Sequence, residues 1–312
     1  MVILNLILFL AFLVVLVKSS DYAVIYSSRL AKRFHLPEFV VSFFIIAIIS
    51  ALPEATIAII SALDGTPELG FGTLLGSNIA DLTLIFGIVA LFSSGGLKVK
   101  SKILQNNIFY LGLLLLPLIL GIDGKFSRID GAILITSGLI FLFMIYRESK
   151  KFTKKFNHTE RGPFLKSSIL LLLSLGIALA SAKFTVDYAI NFAYDINIPA
   201  ILIGITIIAL GTCLPELIIS IRAVKKNLDE IALGDILGTV ITDATIILGL
   251  VALISPFSYE LQNIYITGTA MFLAGLTAMI FMKSDQSLNK TEGLLLMLFY
   301  VIFVFLEFIL TH

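Results

Sequence analysis

Apolar runs follow one another along the whole chain, each roughly 17–25 residues long, enough for a helix to cross about 30 Å of hydrocarbon. Ten can be marked: Val2–Val17, Phe39–Leu63, Leu69–Phe92, Ile103–Ile122, Ile129–Tyr146, Phe164–Ala182, Ile198–Val224, Ile231–Ile254, Ile264–Met282 and Gly293–Leu310. The first is short and needs Lys18 to reach back to the membrane surface. The runs are continuous rather than alternating apolar with polar, which argues against a transmembrane β-barrel. The expected fold is an all-α membrane protein of ten transmembrane helices.

Composition agrees: 58% of residues are hydrophobic and 14% charged, and the mean hydropathy is +1.04. A net charge of +1 conceals strong sorting by side. The stretches after the odd-numbered runs hold 19 of the 22 Lys and Arg; only Lys125, Arg128 and Lys183 fall on the other side. By the positive-inside rule, the odd-numbered loops are cytoplasmic and both termini extracellular, in a multi-pass protein of the cell membrane. The N-terminal run lacks a basic start and a small-residue cleavage site, so it reads as a retained helix rather than a signal peptide. Cys213 is alone, which excludes an intramolecular disulfide. The basic linker 148–163 reads as a solvated topogenic loop, and no segment is long enough for a soluble nucleotide-binding domain.

One phrase is written twice, 162 residues apart. Ser50-Ala51-Leu52-Pro53-Glu54 returns as Thr212-Cys213-Leu214-Pro215-Glu216, and Gly72 to Asp81 returns as Gly234 to Asp243. The 56 aligned pairs from 37 to 92 contain 21 identities without a gap. Two five-helix repeats follow, 1–147 (motif about 45–90) and 164–312 (motif about 207–252). Five is odd, so the second copy enters from the opposite side; such inverted repeats typify secondary transporters with a midplane site. Carboxylates inside membrane spans are costly, so a doubled set points to function rather than to a duplicated bundle.

Ser50 and Glu54, Ser77 and Asp81, Thr212 and Glu216, and Thr239 and Asp243 are all spaced i, i+4. That spacing puts a hydroxyl and a carboxylate on one helix face. Four such faces offer oxygen ligands, the inventory of a hard cation such as Ca²⁺ rather than zinc or copper. The histidines at 35, 158 and 312 lie outside these motifs. Pro53 and Pro215 lack an N–H, which frees the carbonyls of Ile49 and Gly211 and loosens the turn. Gly72/Gly76 and Gly234/Gly238 read as close-packing pairs. Asp235 aligns with Thr73, has no acidic counterpart, and is expected near the cytoplasmic vestibule rather than as a ligand.

These phrases resemble the α-repeats of the cation/Ca²⁺ exchanger superfamily, most of all its prokaryotic Na⁺/Ca²⁺ exchanger branch. That branch carries a Gly-Thr-Ser-Leu-Pro-Glu-like and a Gly-Asn-x-x-Gly-Ser-like motif in each half. The resemblance implies that Glu54 and Glu216 bind Ca²⁺ and share monovalent-cation sites, with Asp81 and Asp243 flanking. The hydroxyls of Ser50, Thr212, Ser77 and Thr239, with carbonyls near Ala47 and Ala209, would complete those sites. It also implies that the first and sixth helices slide past the site-bearing ones. No cofactor is implied. Ca²⁺ and Na⁺ (or H⁺) are the transported ions, and the partners are inorganic cations and the lipid bilayer. Neither nucleic acid nor a protein partner is implied, and a monomer is expected.

Departures from the pattern are specific. Ile49-Ser50-Ala51 stands for Gly-Thr-Ser, Cys213 replaces the matching serine, and Asp81 stands where many relatives have Asn. Four ionised carboxylates also exceed the charge of one Ca²⁺. Both points keep H⁺/Ca²⁺ exchange open beside Na⁺/Ca²⁺ exchange, although the proton-coupled branch typically carries Gly-Asn-x-x-Glu. A cation channel would repeat around an axis along the membrane normal instead. An intramembrane aspartyl protease would need Asp195 and Asp235 together, and the two are expected on opposite sides of the bilayer.

Overall fold

Every one of the ten apolar runs carries helix in the computed structural model of the chain, which describes residues 2–34, 38–65, 67–99, 108–149, 164–195, 211–259, 264–284 and 286–311. In chain order these helices are α1 (Val2–Phe34), α2 (Glu38–Ser50), α3 (Leu52–Leu63), α4 (67–92), α5 (Ile108–Leu120), α6 (Arg128–Ser149), α7 (Phe164–Asp195), α8 (Leu214–Lys225), α9 (Asp229–Ile254), α10 (264–284) and α11 (Lys290–Thr311). Six described helices are individually long and apolar enough to cross a membrane, and the bent pair α2–α3 makes a seventh. The chain is thus an all-helical, multi-pass membrane protein.

Two expected boundaries are overrun. α1 continues well past Val17, and α7 past Ala182 to Asp195. No proline interrupts the second half of α1, and its inner face is small: Ser19, Ser20, Ala23, Ser27, Ser28 and Ala31 are all buried. Lys18, Arg29, Lys32 and Arg33 therefore lie on a helix rather than in a loop, and so does Lys183.

The repeated phrase breaks its helix at matching points. α2 and α3 meet at 45° across Ala51, whose ψ is −4°; Cys213, just before α8, has ψ 7°. Each proline then sits in the first turn of the next helix, where its missing N–H is not needed. The turns that follow match as well, with a left-handed residue at the same repeat position, Gly65 (φ 80°) and Asn227 (φ 58°). Glycine adopts this conformation without steric cost and asparagine tolerates it better than most. Finally, α4 and α9 each contain a π-helical turn, Asp81–Ile85 and Thr242–Ile247, beginning at or beside the repeated aspartate.

α4 and α9 form the centre. The buried share of their apolar stretches is 78% and 83%, against 17% for α1. They run in opposite directions, as the ends show. Strand β1 (Leu97–Lys98) follows α4 and pairs with β4 (Ser287–Leu288), and the Lys98 amide donates to Asp229 at the start of α9. Strand β2 (Lys125–Phe126) pairs with β3 (Phe257–Ser258), which follows α9, and Phe71 near the start of α4 packs on Phe126 and Phe257. Glycine contacts are reciprocal in the same way. A Cβ on Gly131 would meet the Gly249 carbonyl at 2.6 Å, and one on Gly87 would meet the Gly293 carbonyl at 2.5 Å. Each of these positions maps onto a residue of the other pair by the offset of 162.

Around this core, α1 and α7 pack against each other. Phe12 stacks on Phe184 and Tyr188, and Leu16, Ala178 and Ala182 form a small cluster separate from the main one. Asn5 donates to Asp195 at one end of this pair (2.7 Å). Asp21 of α1 is tied to Arg222 and Lys226 at the end of α8.

Candidate functional site

Glu54 and Glu216 occupy the first turn after each break, 1% and 0% exposed. Asp81 and Asp243, in the two π-helical turns, are equally buried. A π turn inserts an extra residue into the helical spiral and so re-aims the side chains around it, a device frequent at functional sites. The four repeated carboxylates come together electrostatically. Asp81 feels the charge of Glu54; Glu216 feels Glu54 and Asp81; Asp243 feels Glu54 and Asp81. Thr212 and Cys213, from the break in the second half, stand against the Glu54 carboxyl.

Oxygens are left over. Glu54 Oε2, Asp81 Oδ1 and both carboxylate oxygens of Glu216 and of Asp243 have no hydrogen-bond partner among the described residues. Buried carboxylate oxygens left so are costly and call for protons or cations. The ion pairs among the described residues lie elsewhere, Asp21 with Arg222 and Lys226, and Lys125 with Asp123. Among the described residues no three acidic, histidine or cysteine side chains are placed to hold a metal.

The expected neutral ligands divide. The Ala47 carbonyl accepts the Ala51 N–H at 3.1 Å and faces the Ser50 and Thr239 hydroxyls, both at 3.3 Å. Ser50 and Thr239, from different halves, are themselves 3.3 Å apart. Ser77 donates to the Leu74 carbonyl at 3.1 Å, one turn before Asp81. Ala209 lies outside the described residues. Gly234 and Gly238 press α9 onto α2 as expected: a Cβ on Gly234 would meet the Phe39 carbonyl at 2.5 Å, and one on Gly238 the Ala47 Cβ at 2.5 Å. Gly72 and Gly76 have no such neighbour among the described residues.

Asp235 corrects the sequence reading. Instead of a vestibule, it occupies a fully buried position, 0% exposed, where the Ser50 hydroxyl donates to Oδ1 at 2.8 Å and the Ser220 hydroxyl to Oδ2 at 3.4 Å. It is close enough for its charge to act on Asp81 and Glu216. A signal was present in the sequence: Asp235, Thr239 and Asp243 continue the i, i+4 row along one face of α9. Repetition between the halves concealed it, because its counterpart is Thr73. Asn78 was also missed; it is fully buried, with its amide 3.6 Å from Met271 Sδ. Asp195 has a different neighbourhood from Asp235, accepting from Asn5 at the end of α7.

A cluster of buried carboxylates and hydroxyls, with the Cys213 sulfur beside Glu54, is rich in the oxygens that suit a hard cation. The comparisons with known proteins agree with that chemistry. The family model described as sodium/calcium exchanger protein matches residues 4–147 and 166–309. The chain is 28% identical to sodium/calcium exchanger MaX1 of Methanosarcina acetivorans, over 99% of both proteins. It is 31% identical to a membrane protein of Methanocaldococcus jannaschii, over 94% of this chain and 95% of the relative. The solved structure of the sodium–calcium exchanger NCX_Mj superposes with a TM-score of 0.84 at 29% identity, over 97% of this chain and 98% of that one. With the motif, the fold and the family model in agreement over both halves, this chain belongs to the sodium/calcium exchanger family.

Proposed function

We propose that the chain is a secondary antiporter that exchanges Ca²⁺ for Na⁺ by alternating access. Its site is formed by Glu54, Glu216, Asp81 and Asp243, where two inverted five-helix repeats meet across ten membrane spans. The repeats are 1–147 and 164–312, both termini are extracellular, and the basic linker 148–163 is cytoplasmic. The observation that carries this reading is the antiparallel pairing of α4 and α9, each bringing its repeated aspartate beside a glutamate placed by a broken helix. Reciprocal strand and glycine contacts support a twofold relation between the halves. Sodium and calcium as the ions are suggested by the names of MaX1 and NCX_Mj.

In this mechanism Ca²⁺ and Na⁺ exclude each other from Glu54 and Glu216. The hydroxyls of Ser50, Ser77, Thr212 and Thr239, with the Ala47 and Ala209 carbonyls, serve the flanking positions. Coupling follows because the empty, fully charged cluster is too costly to carry across the bilayer. By resemblance to the family, α1 and α7, which pack on each other through Phe12, Phe184 and Tyr188, form the moving gate. Proton coupling is the second reading. What favours it is that Ala51 and Cys213, both fully buried beside the site, hold no hydroxyl for Na⁺.

Replacing either glutamate tests the site. Glu54→Ala and Glu216→Ala are each expected to abolish counter-ion-driven ⁴⁵Ca²⁺ uptake into proteoliposomes. Robust uptake by either variant refutes the assignment.

A further inference from the structure

The two halves differ in their ion pairs at equivalent positions. Arg222 donates from Nε to the Asp21 Oδ1 at 2.8 Å and from Nη2 to its Oδ2. The Lys226 Nζ donates to the same Oδ1 at 2.6 Å and to the Asp21 carbonyl at 3.2 Å. At the offset of 162, Asp21 corresponds to Lys183, and Lys226 corresponds to Asp64. Both halves thus encode the same ion pair, with its charges exchanged. Among the described residues only the first copy is formed: Lys183 and Asp64 are exposed, and no ion pair joins them.

The correspondence holds in structure as well as in sequence. α3 and α8 share their bounds at this offset, Leu52–Leu63 and Leu214–Lys225, so Asp64 and Lys226 each follow directly on a helix end. α1 and α7 begin at matching positions, Val2 and Phe164. They also bury matching faces, Ser19, Ser20 and Ala23 on one and Ser181, Ala182 and Thr185 on the other. Asp21 and Lys183 therefore hold the same place on equivalent helices. Yet α1 packs along α8, whereas α7 makes no extended contact with α3 among the described residues.

The two places lie at opposite ends of the molecule. Lys226 leads into Asp229, which accepts from the Lys98 amide at the β1–β4 end. Asp64 leads into α4, whose Phe71 packs on Phe126 and Phe257 at the β2–β3 end. Arg222 and Lys226 stand about 9 and 15 Å further along α8 than Glu216. The formed network therefore ties α1 to the core between the carboxylates and the β1–β4 end.

Shielding gives this network weight. Side-chain exposure is 22% for Asp21 and 30% for both partners, against 63% and 52% in the surface pair of Lys125 with Asp123. Shielded charges are screened less by salt, and separating them strands each in a poorly solvated place. A second pair that forms as the first breaks offsets that cost.

We propose that the Asp21/Lys226 and Lys183/Asp64 pairs are alternating latches, each holding one end of the molecule shut while the other is open. Arg222 reinforces only the first, because its counterpart is Ile60, so closure at the β1–β4 end is the favoured state. The inference rests on the alternating-access reading above, and the latches can be measured without ion flux.

The test is chemical cross-linking of the full chain in proteoliposomes. In a Cys213→Ala background, Asp64→Cys with Lys183→Cys is treated with a short bismaleimide. These positions are expected to cross-link slowly, and adding Asp21→Asn to raise the initial rate about fivefold, the scale of one well-formed ion pair. Arg222→Gln in place of Asp21→Asn should act in the same direction and guards against a folding defect of the first variant. No cross-link between positions 64 and 183, or a rate indifferent to both variants, overturns the proposal. If the rates respond as expected but wild-type proteoliposomes show no exchange, the transport reading fails and the latches stand. Exchange without any such response removes the latches alone.

Discussion

A glutamate one residue after a proline is placed as much by covalent chemistry as by packing. Pro53 and Pro215 deprive the preceding turn of a hydrogen bond, the helix breaks at Ala51 and at Cys213, and the next residues restart it with Glu54 and Glu216 in the first turn. The matching placement of these two buried glutamates was legible from spacing, because the same phrase occurs twice. Asp235 was not, because a reading built on repetition discounts a carboxylate without a counterpart. Its significance depends on contacts with Ser50 and Ser220, 185 and 15 residues away in sequence. Ala51 and Cys213 are the residues where chemistry and family pattern part, and both are fully buried. Restoring the oxygens with Ala51→Ser and Cys213→Ser together is expected to lower the Na⁺ concentration for half-maximal Ca²⁺ exchange about fivefold, since a net hydrogen-bond-like contact contributes about 1 kcal/mol. An unchanged Na⁺ titration would show that these two positions do not touch the ion.

Helices were easier to find than their ends. Hydropathy marks where a chain can cross lipid, but α1 continues beyond that limit on an inner face of small residues that still pack, and α7 continues where Phe184 and Tyr188 stack on Phe12 and Asp195 accepts from Asn5. Charges assigned to a loop from hydropathy alone therefore sit on helical surface, and Asp21 is drawn into an ion pair that fastens α1 to α8. π-helical turns at the repeated aspartates had no signal in the hydropathy or the motif spacing. The glycine spacing did foretell the contact of α9 with α2. There, Gly234→Ala would push a methyl to 2.5 Å from the Phe39 backbone carbonyl, which no side-chain rotation can relieve. The expected cost is about 1–3 kcal/mol, read as a lower unfolding temperature of the purified protein. A variant as stable as the wild type would mean that α2 and α9 are not in close contact.

At the scale of the whole molecule, five apolar runs per repeat and 19 basic residues after the odd-numbered runs predict that the copies face opposite ways. The reciprocal contacts β1–β4 and β2–β3 support it independently, since each pairs an element of one half with its complement in the other. Sidedness can be checked directly, because the single native cysteine is buried. In a Cys213→Ala background, Lys125→Cys is expected to react with an impermeant maleimide from outside intact cells and Lys98→Cys only after permeabilisation; the reverse pattern would invert the orientation. All of this matters only if the two halves enclose a common site at which Ca²⁺ and Na⁺ compete. The most direct measurement is ⁴⁵Ca²⁺ accumulation in proteoliposomes under an outward Na⁺ gradient, with pH and membrane potential clamped. The account predicts uphill Ca²⁺ uptake that collapses when the Na⁺ gradient is dissipated. Uptake that ignores Na⁺ and follows an imposed pH gradient, or merely equilibrates Ca²⁺, would contradict it.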